Sequence, residues 1–577
     1  MGTQPGIPIR FPLSSFPGAT SQEAGGRVYN CYSEPLDDGQ VRSGPAQAVW
    51  RRSAGLSQFN SIATGQTIYR GGLIVQGLSY EVFNNNLSTV DVTGSVSSLG
   101  TVLGSKKVSI ARDQANPPHV VIVDPDNGAF QTTGGAAPSP YTGAGNLPQP
   151  NSVTFQDGYF FFGIADSRVF ASGINALTQN TQTFITLQAK SDVVGQRVIA
   201  YSGVLWGFTS GHVEIWQDTA QPPPGFPYSR SMVLPFGLIA PNAIAGFETG
   251  FDALFWVAQD FGVYYVPVGS FQPQKVSPPD LDRFIENEVR NGRQLEAGCY
   301  IIQGKKFWVL TTSTGSVSWE FNLGTGKWNE RGSLSLTTGA QTHWRGSGGH
   351  PAFNKWLMGD YQTGNILYPD DTVYDDNGAP QLWRLESGPV NDFPNQIRIA
   401  RADFNFVFGV GDAVKNTVMT VLGATAAPGT GLIRLQVNST ARTANGDQVN
   451  VSGITGTTEA NGTFMMQVVD GFNIDLRSTT FVHPYTGGGV AVDVTQAPNI
   501  VNPQVAISTS KDGGFNWGNP LLRSLGLQAR AQRVRASVKS MGLSGPMGNK
   551  WRLDVTDPVY TAFLNATQAS DPKYVGD

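Results

Sequence analysis

The sequence predicts an all-β protein organised around a β-propeller, and three observations carry that prediction. Bulky aromatics that close apolar hairpins recur at Phe83, Phe130, Phe170, Trp216, Tyr265, Trp319 and Tyr368, about 40 to 54 residues apart. A period of that length built from strands marks propeller blades, because a lone blade cannot bury both of its faces and must stack on a neighbour. The composition is that of a turn-rich chain, with 69 Gly and 36 Pro in 577 residues and only 14% charged residues, against about a quarter in an ordinary domain. Apolar residues alternate at period two about Gly-containing turns, and no helical stripe of comparable extent competes.

Taken in order, residues 1–55 form an N-terminal platform or interface segment. Its opening has no charged region followed by an apolar stretch, and Gly6 stands where a myristoylation site wants Ser or Thr. No apolar run approaches the ~18 residues of a membrane span. The expectation is a protein made and used without export or membrane insertion. The two cysteines, Cys31 and Cys299, are too few for a disulfide framework and read as core thiols.

Residues 56–375 hold the propeller, of about six or seven blades. Its hairpins are plain in Val198-Ile-Ala-Tyr201 through Leu205-Trp-Gly-Phe208 to Val213-Glu-Ile-Trp216, and again in Lys306-Phe-Trp-Val-Leu310 with Ser316-Val-Ser-Trp319. One helix is expected at 280–293, where Leu281, Phe284, Ile285 and Val289 share a face. Residues 376–413 supply platform strands. Near Asp412 the composition shifts to Thr, Gly, Asn and Val, and residues 414–498 read as an inserted immunoglobulin-like β-sandwich, the pattern fitting a small sandwich or barrel. The strands before and after it, Ala402-Asp-Phe-Asn-Phe-Val-Phe408 and Gln504-Val-Ala-Ile-Ser508, are expected to be neighbours in one sheet. Residues 499–577 continue the platform with a basic strand and a C-terminal extension.

Chemistry is sparse. Ser510-Lys-Asp-Gly-Gly-Phe-Asn-Trp517 fits an Asp box, expected as a structural turn whose carboxylate accepts backbone N–H groups. The acids Asp370, Asp371, Asp375 and Asp376 read as a solvated loop rather than a calcium site, and Asp124-Pro-Asp126-Asn-Gly128 lacks a later bidentate Glu. The five histidines show no metal-ligand spacing, and neither a phosphate-binding loop nor a dinucleotide fingerprint is present. No catalytic residue, cofactor or metal is expected. The formal charge of −4 argues against a protein that depends on neutralising duplex phosphates.

One charge feature stands apart. From 513 to 553 there is no acid, yet Arg523, Arg530, Arg533, Arg535, Lys539, Lys550 and Arg552 all fall there. In Arg533-Val-Arg-Ala-Ser-Val-Lys539 the cations occupy odd positions and apolar residues even ones, so a strand separates them onto opposite faces. The choice lies between a solvated face and one that meets an acidic partner or passing phosphates.

Arg27-Val-Tyr-Asn30-Cys-Tyr32-Ser-Glu34 with Arg52-Ser-Ala-Gly55-Leu56 resembles the opening of the tail nozzle proteins of short-tailed bacteriophages, also called packaged-DNA stabilisation proteins. Phe170-Ala-Ser-Gly-Ile-Asn175, Leu205-Trp-Gly-Phe208, Val213-Glu-Ile-Trp216, Phe226-Pro-Tyr-Ser-Arg230 and Gly237-Leu-Ile-Ala-Pro241 follow in that family's order. The resemblance spans 27–410 and resumes at 504–555; Ala54 where the family favours Pro, the insert and the C-terminal extension depart from it. It implies a non-enzymatic virion component assembled in the host cytoplasm: a homohexameric tube below the head-to-tail adaptor ring. Such a tube retains packaged double-stranded DNA, conducts it during ejection without reading its sequence, and carries tail fibres or spikes and a tail needle. The insert would be a fin-like contact module. The alternative is a carbohydrate-binding or glycoside-hydrolysing propeller, which a cluster of Arg with a Tyr and a Glu at the disc centre would favour.

Overall fold

The computed structural model describes residues 7–36, 48–60, 67–143, 147–189, 193–221, 225–391, 396–408, 417–495, 502–526 and 533–573. The chain divides into two compact units, one of residues 1–61, 316–344 and 370–577, the other of residues 62–315 and 345–369.

The second unit is the propeller. Five four-stranded antiparallel sheets follow one another over 69–101, 109–140, 150–186, 195–234 and 244–275. After them come the hairpin Leu295–Ile302 with Lys305–Thr312 and the hairpin Gly346–Ala352 with Lys355–Asp360. The first strand of the last hairpin lies against both Leu295–Ile302 and Tyr69–Val75, so the ring closes on itself. Among the described residues this makes seven blades. Phe130, Phe170, Trp216 and Tyr265 all sit on the third strand of their sheets, whereas Phe83 ends a second strand and Trp319 belongs to the other unit.

The uninterrupted apolar runs have a simple cause. In His119–Asp124, Val120 and Ile122 pack on Val75, Val82 and Leu87 of the preceding blade. Val121 and Val123 pack on Val153, Phe160 and Phe162 of the following one. Phe161, between those two phenylalanines, faces forward to Val198 and Leu205. A strand buried on both faces needs apolar residues at every position, and alternation assigns them to alternate neighbours. A buried ion pair stitches the first two blades together, Arg70 Nη2 lying 2.6 Å from Asp124 Oδ2 with neither side chain exposed, and a second, Arg345 with Asp360, pins the last hairpin to itself. The helix runs Pro279–Arg290, with Leu281 and Ile285 fully buried. It stops short of Arg293 because Gly292, at φ +71°, takes a backbone conformation that favours glycine.

The first unit is a sandwich carrying a barrel. One sheet runs Cys31–Pro35, Ala48–Arg52, Ala562–Lys573, Gln396–Val407, Arg533–Leu543, with Ile7–Ile9 added to Ala562–Lys573. Within this unit the facing sheet runs Ser318–Asn322, Lys327–Arg331, Arg27–Tyr29, Trp383–Glu386, Lys550–Val555, Gln504–Ser510, Leu521–Ser524. Phe404 meets Trp551 edge-on at 5.3 Å between ring centroids, and Phe406 meets Trp383 at 6.2 Å. The strands flanking the insert are therefore not neighbours in one sheet, as expected, but members of opposing sheets. Both carry the same period-two pattern because both face the same core, and the pattern does not say from which side.

The insert closes as a six-stranded barrel, in the order Val418–Ala426, Ile433–Val437, Asn473–Leu476, Gly462–Val468, Gln448–Ser452, Val490–Asp493 and back to the first. Of the sandwich or barrel that the pattern fits, the segment takes the barrel, around Ile433, Leu435, Val449, Ile474 and Leu476, and not the immunoglobulin-like sandwich. Closure removes both sheet edges, which a short, Gly-rich segment outside a larger core would otherwise expose. Among the described residues no helix is long and apolar enough to cross a membrane.

Candidate functional site

The strand Arg533–Leu543 is the edge of its sheet and holds the alternation the sequence displays. Ala536 and Val538 are buried, while Arg533, Arg535 and Lys539 are exposed. None of the three makes a hydrogen bond or ion pair among the described residues. Lys539 stands opposite Arg401, whose own charge is balanced by Asp403 at 2.8 Å. The other candidates are committed elsewhere. Arg523 donates from Nε to Ser537 O at 2.7 Å, tying its strand to the basic edge. Lys550 is buried, and its ammonium donates to Ser21 O and Ala24 O, both at 2.7 Å. Burial pushes its pKa down, against a smaller upward pull from Glu386. Arg552 donates to Glu386 Oε1 at 2.8 Å and lies 3.9 Å over the Trp517 ring. Arg530 lies outside the described residues. The seven candidates thus reduce to one exposed row of three, about 7 Å apart at the closest given strand geometry, a spacing similar to the ~8 Å Debye length of physiological salt.

The Asp box is a turn at the end of Gln504–Ser510, in the sandwich and not in the propeller. Asp512 accepts N–H bonds from Phe515 at 3.1 Å and Asn516 at 3.0 Å, with Ser510 Oγ donating at 2.7 Å. Partial burial pushes this carboxyl up, but the donors outweigh it and hold its pKa at about 2. Asp124 likewise serves a turn, accepting from Asp126 N and Asn127 N while paired with Arg70. In the acidic cluster, Asp376 accepts from Ser333 Oγ at 2.6 Å and Asp375 holds Arg442. Among the described residues no group of three or more His, Cys, Asp or Glu is placed to hold a metal ion.

Sequence reasoning missed the centre of the propeller. The first strands surround a cavity of about 940 Å³. Behind its wall, Ser79 and Glu81 form a buried cluster with the lining residues Tyr69 and His350: Ser79 Oγ lies 2.8 Å from both Glu81 Oε1 and His350 Nε2, and Tyr69 OH lies 3.4 Å from His350 Nδ1. Burial, then the Glu81 charge, push the Tyr69 hydroxyl well above its ordinary range. Gly72 makes room for this cluster, since a Cβ there would collide with Glu81, His350 and Tyr69. The signal in the sequence was a lone acid inside the apolar strand Leu78–Phe83 and a lone His inside Gly346–Ala352. Elsewhere in the lining, burial raises the Glu248 carboxyl, which accepts from Gly246 N at 2.6 Å and from the Cys299 thiol at 3.2 Å. Tyr69 and Glu81 do meet, but the arginines do not gather on them: Arg70 is turned to Asp124, and Arg197 lies over Phe247 while donating to Pro241 O.

Motif residues at the start of the chain act as a clasp. Arg27 grips Glu330 through two hydrogen bonds of 2.8 and 2.7 Å. Asn30, at φ +49°, donates to Gly332 O and Leu382 O and accepts from Gly332 N.

The fold is that of an almost helix-free β-protein, a propeller in one unit and a sandwich bearing a barrel in the other. The sequence matches the family described as Bacteriophage P22 Gp10, beta-propeller, over residues 41–374, more than half of the chain. The chain belongs to this family of phage stabilisation proteins and is a bacteriophage structural protein, a component of the virion. No curated protein matches it. Solved structures similar to it include a streptogramin B lyase at 12% identity and TM-score 0.38, covering 55% of this chain and 98% of that one. The β-propeller domain of Cps50 (Swd1) from Myceliophteria thermophila matches at 11% and 0.37, covering 55% and 99%. BamB from Moraxella catarrhalis matches at 13% and 0.34, covering 59% and 96%. Likeness at this level carries no functional argument.

Proposed function

We propose that the protein is the tail nozzle of a short-tailed phage, six copies forming a tube below the head-to-tail adaptor ring. The tube retains packaged DNA and conducts it outward at ejection. The observation that carries this reading is the family match across the propeller, residues 41–374. The physical chemistry supports it. A formal charge of −4 keeps the protein from gripping a polyanion that must slide past, and blades packed face to face through apolar cores, with a buried ion pair between the first two, give a stiff wall. The free row Arg533, Arg535 and Lys539 is the surface offered to an acidic adaptor or to the DNA path. The barrel is the contact module for fibres, spikes or a needle, and assembly takes place in the host cytoplasm. The test is single-particle imaging of virions together with mass measurement of detached tails. A sixfold ring of this chain at the tail is expected; its absence from tails, or a stable dimer there, overturns the proposal.

A further inference from the structure

We propose that the axial cavity of the propeller is a binding site for a carboxylated saccharide, a short chain of hexuronate-type residues. The inference stands on the cavity alone and is independent of the role in the tail. The volume, about 940 Å³, lies at the upper end of the roughly 300 to 1,000 Å³ usual for ligand sites.

Its charge is unbalanced. Of the cations on the wall, Arg70 is neutralised by Asp124 at 2.6 Å and Lys107 by Glu296 at 2.8 Å. Arg197 is engaged by Pro241 O, to which it donates at 3.1 Å, and by the Phe247 ring beneath it. Two remain. Arg112 is exposed and makes no hydrogen bond or ion pair among the described residues. Lys355 forms no ion pair there, its ammonium lying 3.5 Å from the centroid of the Tyr368 ring. Arg112 belongs to the second blade and Lys355 to the seventh, with the first blade between them. Charges held apart on different blades suit anionic groups spaced along a chain of rings, rather than a single phosphate that concentrates two charges at one point.

The rest of the wall fits the same chemistry. Phe155, Phe247 and Phe353 are half-buried residues of the cavity lining, Phe247 with the Arg197 guanidinium over its ring, and the C–H face of a pyranose packs on aromatic side chains much as other apolar faces do. Between them stand Thr154, Asn242, Thr249 and Asn354, groups able both to donate to and accept from hydroxyls. Planar guanidinium groups recognise carboxylates through paired N–H donors, which assigns the tightest contact to Arg112.

The experiment titrates the full chain with trigalacturonate, maltotriose and triglutamate by calorimetry, with saturation-transfer NMR to report which ligand protons approach the protein. Saturable binding of trigalacturonate is expected, with no binding of maltotriose and weaker binding of triglutamate. Arg112→Ala and Lys355→Ala should each weaken trigalacturonate at least tenfold while leaving the melting temperature unchanged, since neither side chain holds the fold together. Absence of trigalacturonate binding, equal binding of maltotriose or triglutamate, or binding undiminished in the double variant overturns the proposal.

Discussion

Removing one side chain, Arg442, should loosen the inserted barrel without unfolding it. Arg442 lies between barrel strands Ile433–Val437 and Gln448–Ser452 and reaches out to the sandwich unit. It donates to Asp375 from Nε at 3.1 Å and from Nη2 at 2.8 Å, and from Nη2 to Leu56 O at 2.9 Å. Beside it, Gly378 at φ +83° lets Ala441 O approach so closely that a Cβ would collide. The two charged side chains are 20% and 14% exposed. That places the pair between surface pairs, worth about 0 to 1 kcal/mol, and buried ones, whose breakage costs about 3 to 5. Arg442→Ala should therefore cost about 2 kcal/mol of local stability. The assay is hydrogen exchange of peptides covering 53–60 and 373–380, where ~2 kcal/mol corresponds to about thirtyfold faster exchange. Arg442→Lys should recover only part of it, because an ammonium lacks the two-pronged geometry. Exchange within threefold of the parent in the alanine variant would refute the clamp. Barrel peptides around Leu435 and Ile474 should stay protected, since their core is self-contained.

Asp512→Asn should destabilise the sandwich near neutrality, and the difference should vanish as pH falls. The folded carboxyl, at about 2, lies below its unfolded value of ~3.9. Its contribution is therefore full above about pH 4 and lost as pH drops through 2, and denaturation curves of the two proteins from pH 7 to 2 check it. Replacing 416–494 by a Gly-Ser linker should leave the propeller's melting transition in place; the linker must bridge opposing sheets ~10 Å apart, and loss of cooperative propeller melting contradicts the prediction. Phe404→Ala should cost about 3 to 5 kcal/mol in urea denaturation of the sandwich, as a fully buried ring against Trp551 leaves a cavity. Reversing Arg533, Arg535 and Lys539 to Glu should preserve melting but deplete virions of tails or genome; fully tailed, DNA-filled virions at every salt concentration mark the strand as a plain solvated face.

The propeller was legible because its signal is local: runs such as Val120 to Val123 and Phe160 to Phe162 announce strands buried on both faces, and their spacing announces repetition. The helix was legible for the same reason. What escaped depends on partners remote in the chain. Lys550 and Arg552 looked as free as Arg533, yet one is held by carbonyls at Ser21 and Ala24 and the other by Glu386. The sandwich flanks of the insert share one pattern whether they lie in the same sheet or facing sheets. The Tyr69, Glu81 and His350 cluster joins the first and last blades, so only closure of the ring brings it together.

The basic edge of the sandwich and the Arg112 and Lys355 pair of the propeller lie in different units. Both are exposed or half-exposed and neither supports the fold, so each can be altered while the other is kept. A virion defect in the charge reversals alone would assign attachment or DNA retention to the edge. A loss of uronate binding in the Arg112 and Lys355 variants, in particles that still carry tails and genome, would assign ligand recognition to the propeller. If one set of substitutions abolished both properties, the charges would be acting through folding after all, and the unchanged melting temperatures expected for both sets would then fail as well.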